Sequence, residues 1–241
     1  MKIQLIFSYD GSKFQGSQTQ PHENGVEDAL KRALSHVGIF SKITSSGRTD
    51  KDVHANNQST SVECGEHFSD LERLKSLINR HARPHINVKF IRRVSDDFQP
   101  RFDAISRSYR YVISHDEFSV FRANYELFLP KFDVKKANEL LSLFIGRHDF
   151  SSFMKVGSDT KNPVREIYKA FCYEYKNKTI IVFKANGFLR AQVRLMVAAV
   201  LKGLKHKNAN ELIKKQLENQ AIFTRMPAPA QGLYLNRVHY F

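Results

Sequence analysis

Residues Asn24 to Gly38, NGVEDALKRALSHVG, decide the fold class. Val26, Ala29, Leu30, Ala33, Leu34 and Val37 recur at the three- and four-residue spacing that lines one side of a helix. Asn24 is placed as the N-cap with Glu27 three positions on, and Gly38 as the stop. Upstream, Lys2-Ile3-Gln4-Leu5-Ile6-Phe7 alternates polar and apolar residues as far as Ile6 and ends at the turn Tyr9-Asp10-Gly11, which reads as a strand. Downstream come strand candidates over Ser41–Ser45 and Gln58–Cys64. A second helix starts at Ser69 with Leu71, Leu74, Leu77 and Ile78 inward, and a strand follows over Asn87–Val94. The order is β-α-β-β-α-β, the split βαβ (ferredoxin-like) unit, in which two helices cover one face of a four-stranded antiparallel sheet.

The second half repeats that order with insertions. Ser108–Ile113 alternates as a strand, and a helix runs from Asp133 through Ala137, Leu140, Leu141 and Phe144 to Gly146. Strands follow over Ile167–Tyr175 and Thr179–Lys184 around a turn at Asn177. After them come a helix over Leu189–Leu204, a short amphipathic helix near Glu211–Leu217 and a closing strand within Leu233–Tyr240. The expectation is an α/β (α+β) protein of two tandem units forming an extended antiparallel sheet, with helices on one face and a central cleft. The join is placed in the polar stretch Ser95–Phe102, giving an N-terminal domain over residues 1–100 and a C-terminal domain over 101–241.

Length and composition bound the rest. With 241 residues, 41% of them hydrophobic and 12% aromatic, the chain has ample material for a packed core. Cys64 and Cys172 lie more than a hundred residues apart with no C-x-x-C, and no secretory signal is read at the N-terminus, so a reduced, cytoplasmic setting is expected. No apolar run approaches the roughly 18 residues of a membrane span. The net charge of +14 is unevenly placed. Residues 1–100 hold 14 Lys and Arg against 12 Asp and Glu; residues 101–241 hold 24 against 12. A basic excess of that kind is the usual footprint of a phosphate-rich partner, because each neutralised phosphate releases counterions. The bland alternative is charge for solubility alone.

The chemistry gathers in SSGRTDKDVHA, Ser45 to Ala55, which carries Gly47, Arg48, Asp50, Lys51, Asp52 and His54 where the backbone turns. There is no G-x-G-x-x-G after a strand, no P-loop lysine motif, no paired-cysteine zinc spacing and no G-x-S-x-G elbow. Asp50, Asp52 and His54 are spaced by two, which in a strand puts all three on one face and suits a hard metal ion. The competing reading makes Asp52 and His54 ordinary polar residues leaving a loop, and it carries more weight because metal sites draw ligands from several elements. A second chemical reading centres on Gly47-Arg48-Thr49-Asp50, where the glycine permits a tight turn and Arg48 reaches a phosphate. Positive charge nearby favours an ionised Asp50, able to act as nucleophile or base. By pattern alone, Tyr109 reads as a strand aromatic packing the core. Lys202, Lys205, His206 and Lys207 read as RNA-backbone contacts or as solvated charge.

Several separated motifs together resemble the TruA family of tRNA pseudouridine synthases. They are Tyr9-Asp10-Gly11-Ser12-Lys13-Phe14, Gly47-Arg48-Thr49-Asp50 with Val53-His54-Ala55, Arg101-Phe102-Asp103-Ala104 and Arg107-Ser108-Tyr109-Arg110-Tyr111, followed by His148-Asp149-Phe150 and Gly232-Leu233-Tyr234-Leu235. They span nearly the whole chain in the family's order. The resemblance implies isomerisation of uridines at positions 38 to 40 of the tRNA anticodon stem-loop to pseudouridine. It implies Asp50 as the catalytic nucleophile and Arg48 as the residue that moves the target base out of its stack. Tyr109 is implied as the ring that stacks on the uracil and helps in proton removal, Arg194 as the arginine pairing with the aspartate, and Leu235 as a further substrate contact. A homodimer, tRNA as partner, no membrane, no metal and no cofactor are implied as well.

The physical argument is consistent with each role. The reaction breaks the C1'–N1 bond and joins C5 to C1', so no electrons or outside groups enter, and the base must leave its stack, for which a flat ring offers a new partner. Arg194, beside Val193 and Val197 on its helix, is expected to point partly inward and to need an anionic partner, the alternative being a snorkelling surface arginine. The chain departs from the family at Ser17, where tryptophan is usual, at Lys51-Asp52, which replaces a small pair, and at Ala191-Gln192. The competing classes are a non-catalytic RNA-binding protein of similar fold, which would not depend on Asp50, and a metal-dependent nuclease.

Overall fold

The computed structural model of the chain describes residues 1–158 and 160–240. In chain order the described elements are β1 (Lys2–Tyr9), α1 (Val26–Ser35), β2 (Thr44–Ser45), β3 (His54–Glu63), α2 (Leu71–Ala82), β4 (Ile86–Val94), β5 (Ser106–Ser114) and β6 (Leu127–Phe128). They continue as α3 (Val134–Ser142), β7 (Gly146–Asp149), β8 (Val164–Tyr175), β9 (Lys178–Ala185), α4 (Gln192–Gly203), α5 (Ala209–Leu217) and β10 (Leu233–His239). Among the described residues no helix is long and apolar enough to cross a membrane.

The chain divides into two units, one formed by residues 1–105 with the segment from Tyr234 onward, the other by Ser106–Leu233. The expectation placed the division at residue 100. The break falls at the start of β5, and the last strand returns to the first unit. There β10 pairs in parallel with β3, Tyr234 opposite His54 and Leu235 opposite Ala55. Local periodicity holds no information about a partner that far away in sequence.

In the first unit β1 is central, antiparallel to both β3 and β4, and the short β2 pairs with the far side of β3. Strand order is therefore β4-β1-β3-β2, the split-βαβ arrangement expected. Alternation along β1 turns Ile3, Leu5 and Phe7 into the core with Leu30 and Leu34 of α1 and Leu74 and Ile78 of α2, none more than 2% exposed. Several ends differ from expectation. Helix α1 is entered at Gly25 rather than Asn24, because the carboxylate of Asp28, not Glu27, accepts the Gly25 N–H at 2.8 Å. The N-cap of α2 is Asp70 rather than Ser69, its carboxylate accepting the Arg73 N–H. Strand β2 shrinks to two residues and β3 begins at His54, four residues earlier than the apolar pattern places it.

In the second unit the sheet runs β5-β9-β8-β7, with β6 parallel to β5. The order β5-α3-β8-β9-α4 repeats that of the first unit, with β6 and β7 as the insertions. Strands β6 and β7 are two and four residues long, too short for an alternation to be read. Helix α3 ends at Ser142 and not at Gly146, which opens β7. Tyr111, Ile113, Ile181 and Phe183 from the strands and Met196, Val197 and Val200 from α4 are fully buried.

Both units satisfy an otherwise open strand edge with a helical asparagine. Asn79 of α2 donates to the Val88 carbonyl at 2.8 Å and accepts the Val88 N–H at 2.7 Å. Asn138 of α3 does the same for Cys172, at 2.9 and 2.7 Å. The amide side chain thus stands in for a neighbouring strand and blunts an edge. Asn79→Ala strands a buried donor and acceptor, and is expected to lower the unfolding free energy by about 2 to 4 kcal/mol, read from urea denaturation followed by circular dichroism.

Candidate active site

The loop carrying Asp50 leaves β2 at Ser46 and re-enters the sheet at His54. Its start is tied to β3 by a buried glutamine. The Ser46 hydroxyl donates to Gln58 Oε1 at 2.7 Å, and Gln58 Nε2 donates to the Gly47 carbonyl at 3.1 Å. Arg48 follows, exposed. Thr49 is bound on every side: its Oγ1 lies 2.7 Å from the Tyr9 hydroxyl, its N–H donates to Ser17 Oγ at 2.8 Å, and its carbonyl accepts the Ser17 N–H at 3.1 Å. Asp50 comes next, half-buried, and its carbonyl accepts the Val53 N–H at 3.2 Å to close a turn.

Within that turn Asp52 has φ +64°, the left-handed region that glycine enters freely and aspartate tolerates better than most side chains. The departure at Lys51-Asp52 therefore keeps a small-residue backbone geometry with a larger residue. A turn here also removes the basis of the metal reading, which needed Asp50, Asp52 and His54 on one strand face. Only His54 lies in β3. Among the described residues no group of three His, Cys, Asp or Glu side chains is disposed to hold a metal ion.

His54 is 2% exposed and serves the loop from beneath. Its Nδ1 accepts the Gly11 N–H at 3.0 Å, and its ring stacks on Tyr234 at 4.7 Å between centroids. The same Nδ1 lies 3.4 Å from the Asp10 carboxylate. Gly11 is held so closely that a Cβ would lie 2.1 Å from the Val53 carbonyl oxygen. Leu235, expected as a substrate contact, is 2% exposed and sits in the core of the first unit beside Ala55. Its surface is given to packing.

The second unit holds the other two expected residues. Tyr109 lies on β5 opposite Phe183, half-buried, with Phe188 edge-on to its ring at 5.2 Å. The pattern had made it a core aromatic; the ring buried in the core of this strand is Tyr111, two residues on. Arg194 lies in the first turn of α4, half-buried as expected. Its Nε donates to the Ala228 carbonyl at 2.7 Å, and the Ala228 N–H donates back to its carbonyl at 3.0 Å. Tyr111 donates to the neighbouring Pro229 carbonyl at 2.8 Å. Burial pushes the Tyr111 phenol far above its ordinary range, with the positive charge of Arg194 opposing the shift, so the hydroxyl stays a neutral donor.

The departures at Ala191-Gln192 also have a local account. Ala191 takes φ +60° at the entry to α4, and Gln192, fully buried, accepts the Leu189 N–H at 2.7 Å. Lys202, expected to contact RNA backbone or solvent, is exposed and also engaged within the unit. Its ammonium donates to the Phe223 carbonyl at 2.6 Å and lies over the Phe223 ring. Lys205 and Lys207 remain exposed.

Set beside known proteins, the chain is similar to pseudouridine synthases, which are isomerases. It matches the tRNA pseudouridine synthase family over residues 5–103 and 140–240, and it belongs to that family. The tRNA pseudouridine synthase A of Campylobacter jejuni is 52% identical over 240 residues, an alignment covering 100% of each chain. That of Wolinella succinogenes is 40% identical over 98% of this chain and 93% of its own. That of Helicobacter acinonychis is 39% identical over 99% of each.

The close seat of Gly11 has a measurable consequence. Gly11→Ala must push the Asp10–Ser12 turn off Val53 and release its N–H from His54. Overpacking of this kind is expected to cost about 1 to 3 kcal/mol of stability. It is also expected to speed amide exchange at Val53, His54 and Ala55, as read by hydrogen–deuterium exchange.

Proposed function

We propose that this chain isomerises uridines at positions 38 to 40 of the tRNA anticodon stem-loop to pseudouridine, with Asp50 as the nucleophile. Arg48 moves the target base out of its stack, Tyr109 stacks on the uracil, and Arg194 supplies positive charge to the chemistry. The observation that carries the reading is the backbone of Asp50, held in a turn whose preceding residue is bound through its N–H, carbonyl and hydroxyl. A reacting group needs such fixing, since a misplacement of about 1 Å can cost on the order of 10²-fold in rate.

The chemistry asks little else of the protein. Asp50 adds to the base or assists departure of uracil from the sugar; the C1'–N1 bond breaks, the C5–C1' bond forms, N1 gains a proton and C5 loses one. Atoms and electrons balance without a co-reactant. The basic excess of residues 101–241 supports an RNA phosphate backbone as the electrostatic partner. The chain works in the cytoplasm, a placement supported by the two free thiols, Cys64 and Cys172. It works as a homodimer, on the strength of the family resemblance; light scattering is expected to return twice the 27.9 kDa of the chain.

The decisive measurement is tritium release from tRNA carrying [5-³H]uridine, because the C5 hydrogen leaves only when the base is rejoined through C5. Wild type is expected to release tritium with EDTA present, and Asp50→Asn to be slower by roughly 10⁴-fold or more. Tight tRNA binding with no release by wild type would leave an RNA-binding protein in its place.

A further inference from the structure

We infer that Ser17 is a positioning residue for the reaction, setting Asp50 through Thr49, the residue that precedes it. This rests on the reading of Asp50 as the nucleophile and adds a residue that the family resemblance does not assign. Ser17 is 3% exposed and lies in a loop thirty-two positions from Thr49. Its hydroxyl accepts the Thr49 N–H at 2.8 Å and its own N–H donates to the Thr49 carbonyl at 3.1 Å, so the two residues pair as neighbours in a sheet do. The Ser17 hydroxyl lies 3.5 Å from the Thr49 carbonyl, at the limit of a bond, so acceptance from the N–H is its main contact.

The strap that carries Ser17 is itself anchored. The Gly16 carbonyl accepts the Val26 N–H at 3.1 Å and the Ser17 carbonyl accepts the Glu27 N–H at 3.0 Å, which satisfies two donors of the first turn of α1. Gly16 takes φ +108°, and a Cβ there would stand 3.3 Å from the Thr49 carbonyl oxygen and 3.7 Å from the Asp50 carbonyl carbon. Helix α1, Gly16, Ser17 and Thr49 thus form a continuous chain of backbone contacts ending at Asp50. The Ser17 hydroxyl is its one side-chain link, and among the described residues it is the acceptor of the Thr49 N–H. Alanine there leaves that N–H without its acceptor and loosens the Arg48–Thr49 peptide, so that Thr49, which leads into Asp50, is held by its carbonyl and hydroxyl alone.

The test compares kcat and KM for tritium release in wild type, Ser17→Ala, Ser17→Cys and Asp50→Asn, each measured well below its own unfolding temperature. Ser17→Ala is expected to lower kcat by about 10- to 100-fold with KM for tRNA within about twofold. Cysteine keeps the volume with a weaker acceptor, so Ser17→Cys is expected to fall between. If Ser17→Ala does not fold, the comparison of Ser17→Cys with wild type decides. An unchanged kcat in a variant that merely melts earlier, or a raised KM with kcat intact, overturns the inference while an inactive Asp50→Asn leaves the nucleophile standing. An active Asp50→Asn removes the premise instead.

Discussion

The close approach of Gly11 to the Val53 carbonyl is the constraint on which the functional loop depends. Strand β1 ends at Tyr9 in the middle of its sheet, and the chain turns directly onto the start of β3. Only a residue without a side chain fits there, and its N–H finds a buried acceptor in His54. That contact brings the end of β1 against the loop, so that the Tyr9 hydroxyl reaches Thr49. A loop of polar and charged residues, which would sample many conformations alone, inherits the rigidity of the sheet through three or four hydrogen bonds.

The two units differ in charge. The first is near balance and carries the loop of Asp50 on a hydrogen-bonded backbone. The second carries most of the basic excess and holds Tyr109 on β5, edge-on to Phe188, and Arg194 in the first turn of α4. An isomerisation that imports no group needs a positioned carboxylate, a ring for a displaced base and positive charge for phosphates. The chain's membership of the tRNA pseudouridine synthase family is in keeping with that demand. The positions where the chain departs from the family's pattern, at Ser17, Asp52, Ala191 and Gln192, are each found in a defined local geometry rather than on a featureless surface.

Much of the fold was legible because amphipathic periodicity is local. Helices α1, α2 and α3 and strands β1, β4, β5, β8 and β9 lie where alternation and helical spacing put them, within a few residues. The misses share a cause. The start of β3 is polar in sequence, His54-Ala55-Asn56-Asn57, and becomes strand through pairing with β1 and β10. The shift of the α1 cap from Asn24 to Gly25 follows from the Asp28 carboxylate, which also accepts the Gln20 N–H at 3.2 Å from a segment the helix pattern does not include. Leu235 is buried in its strand, and the ammonium of the exposed Lys202 is engaged by the Phe223 carbonyl, neither of which is written in motif or charge.

By itself the sequence determined the class of fold, the strongly basic second half, and the presence of Asp50, Arg48 and Tyr109 in motifs that resemble one family, since these rest on residue type and local spacing. Tertiary structure alone decided that β10 belongs with the first unit and which hydrogen bond closes the Asp50–Val53 turn. It alone decided that Tyr9, Ser17, Gln58 and His54 hold that turn in place. Each of these is a hydrogen bond or a steric approach between groups far apart in the chain. Such pairings arise when the core closes and leave no mark in the periodicity of either partner.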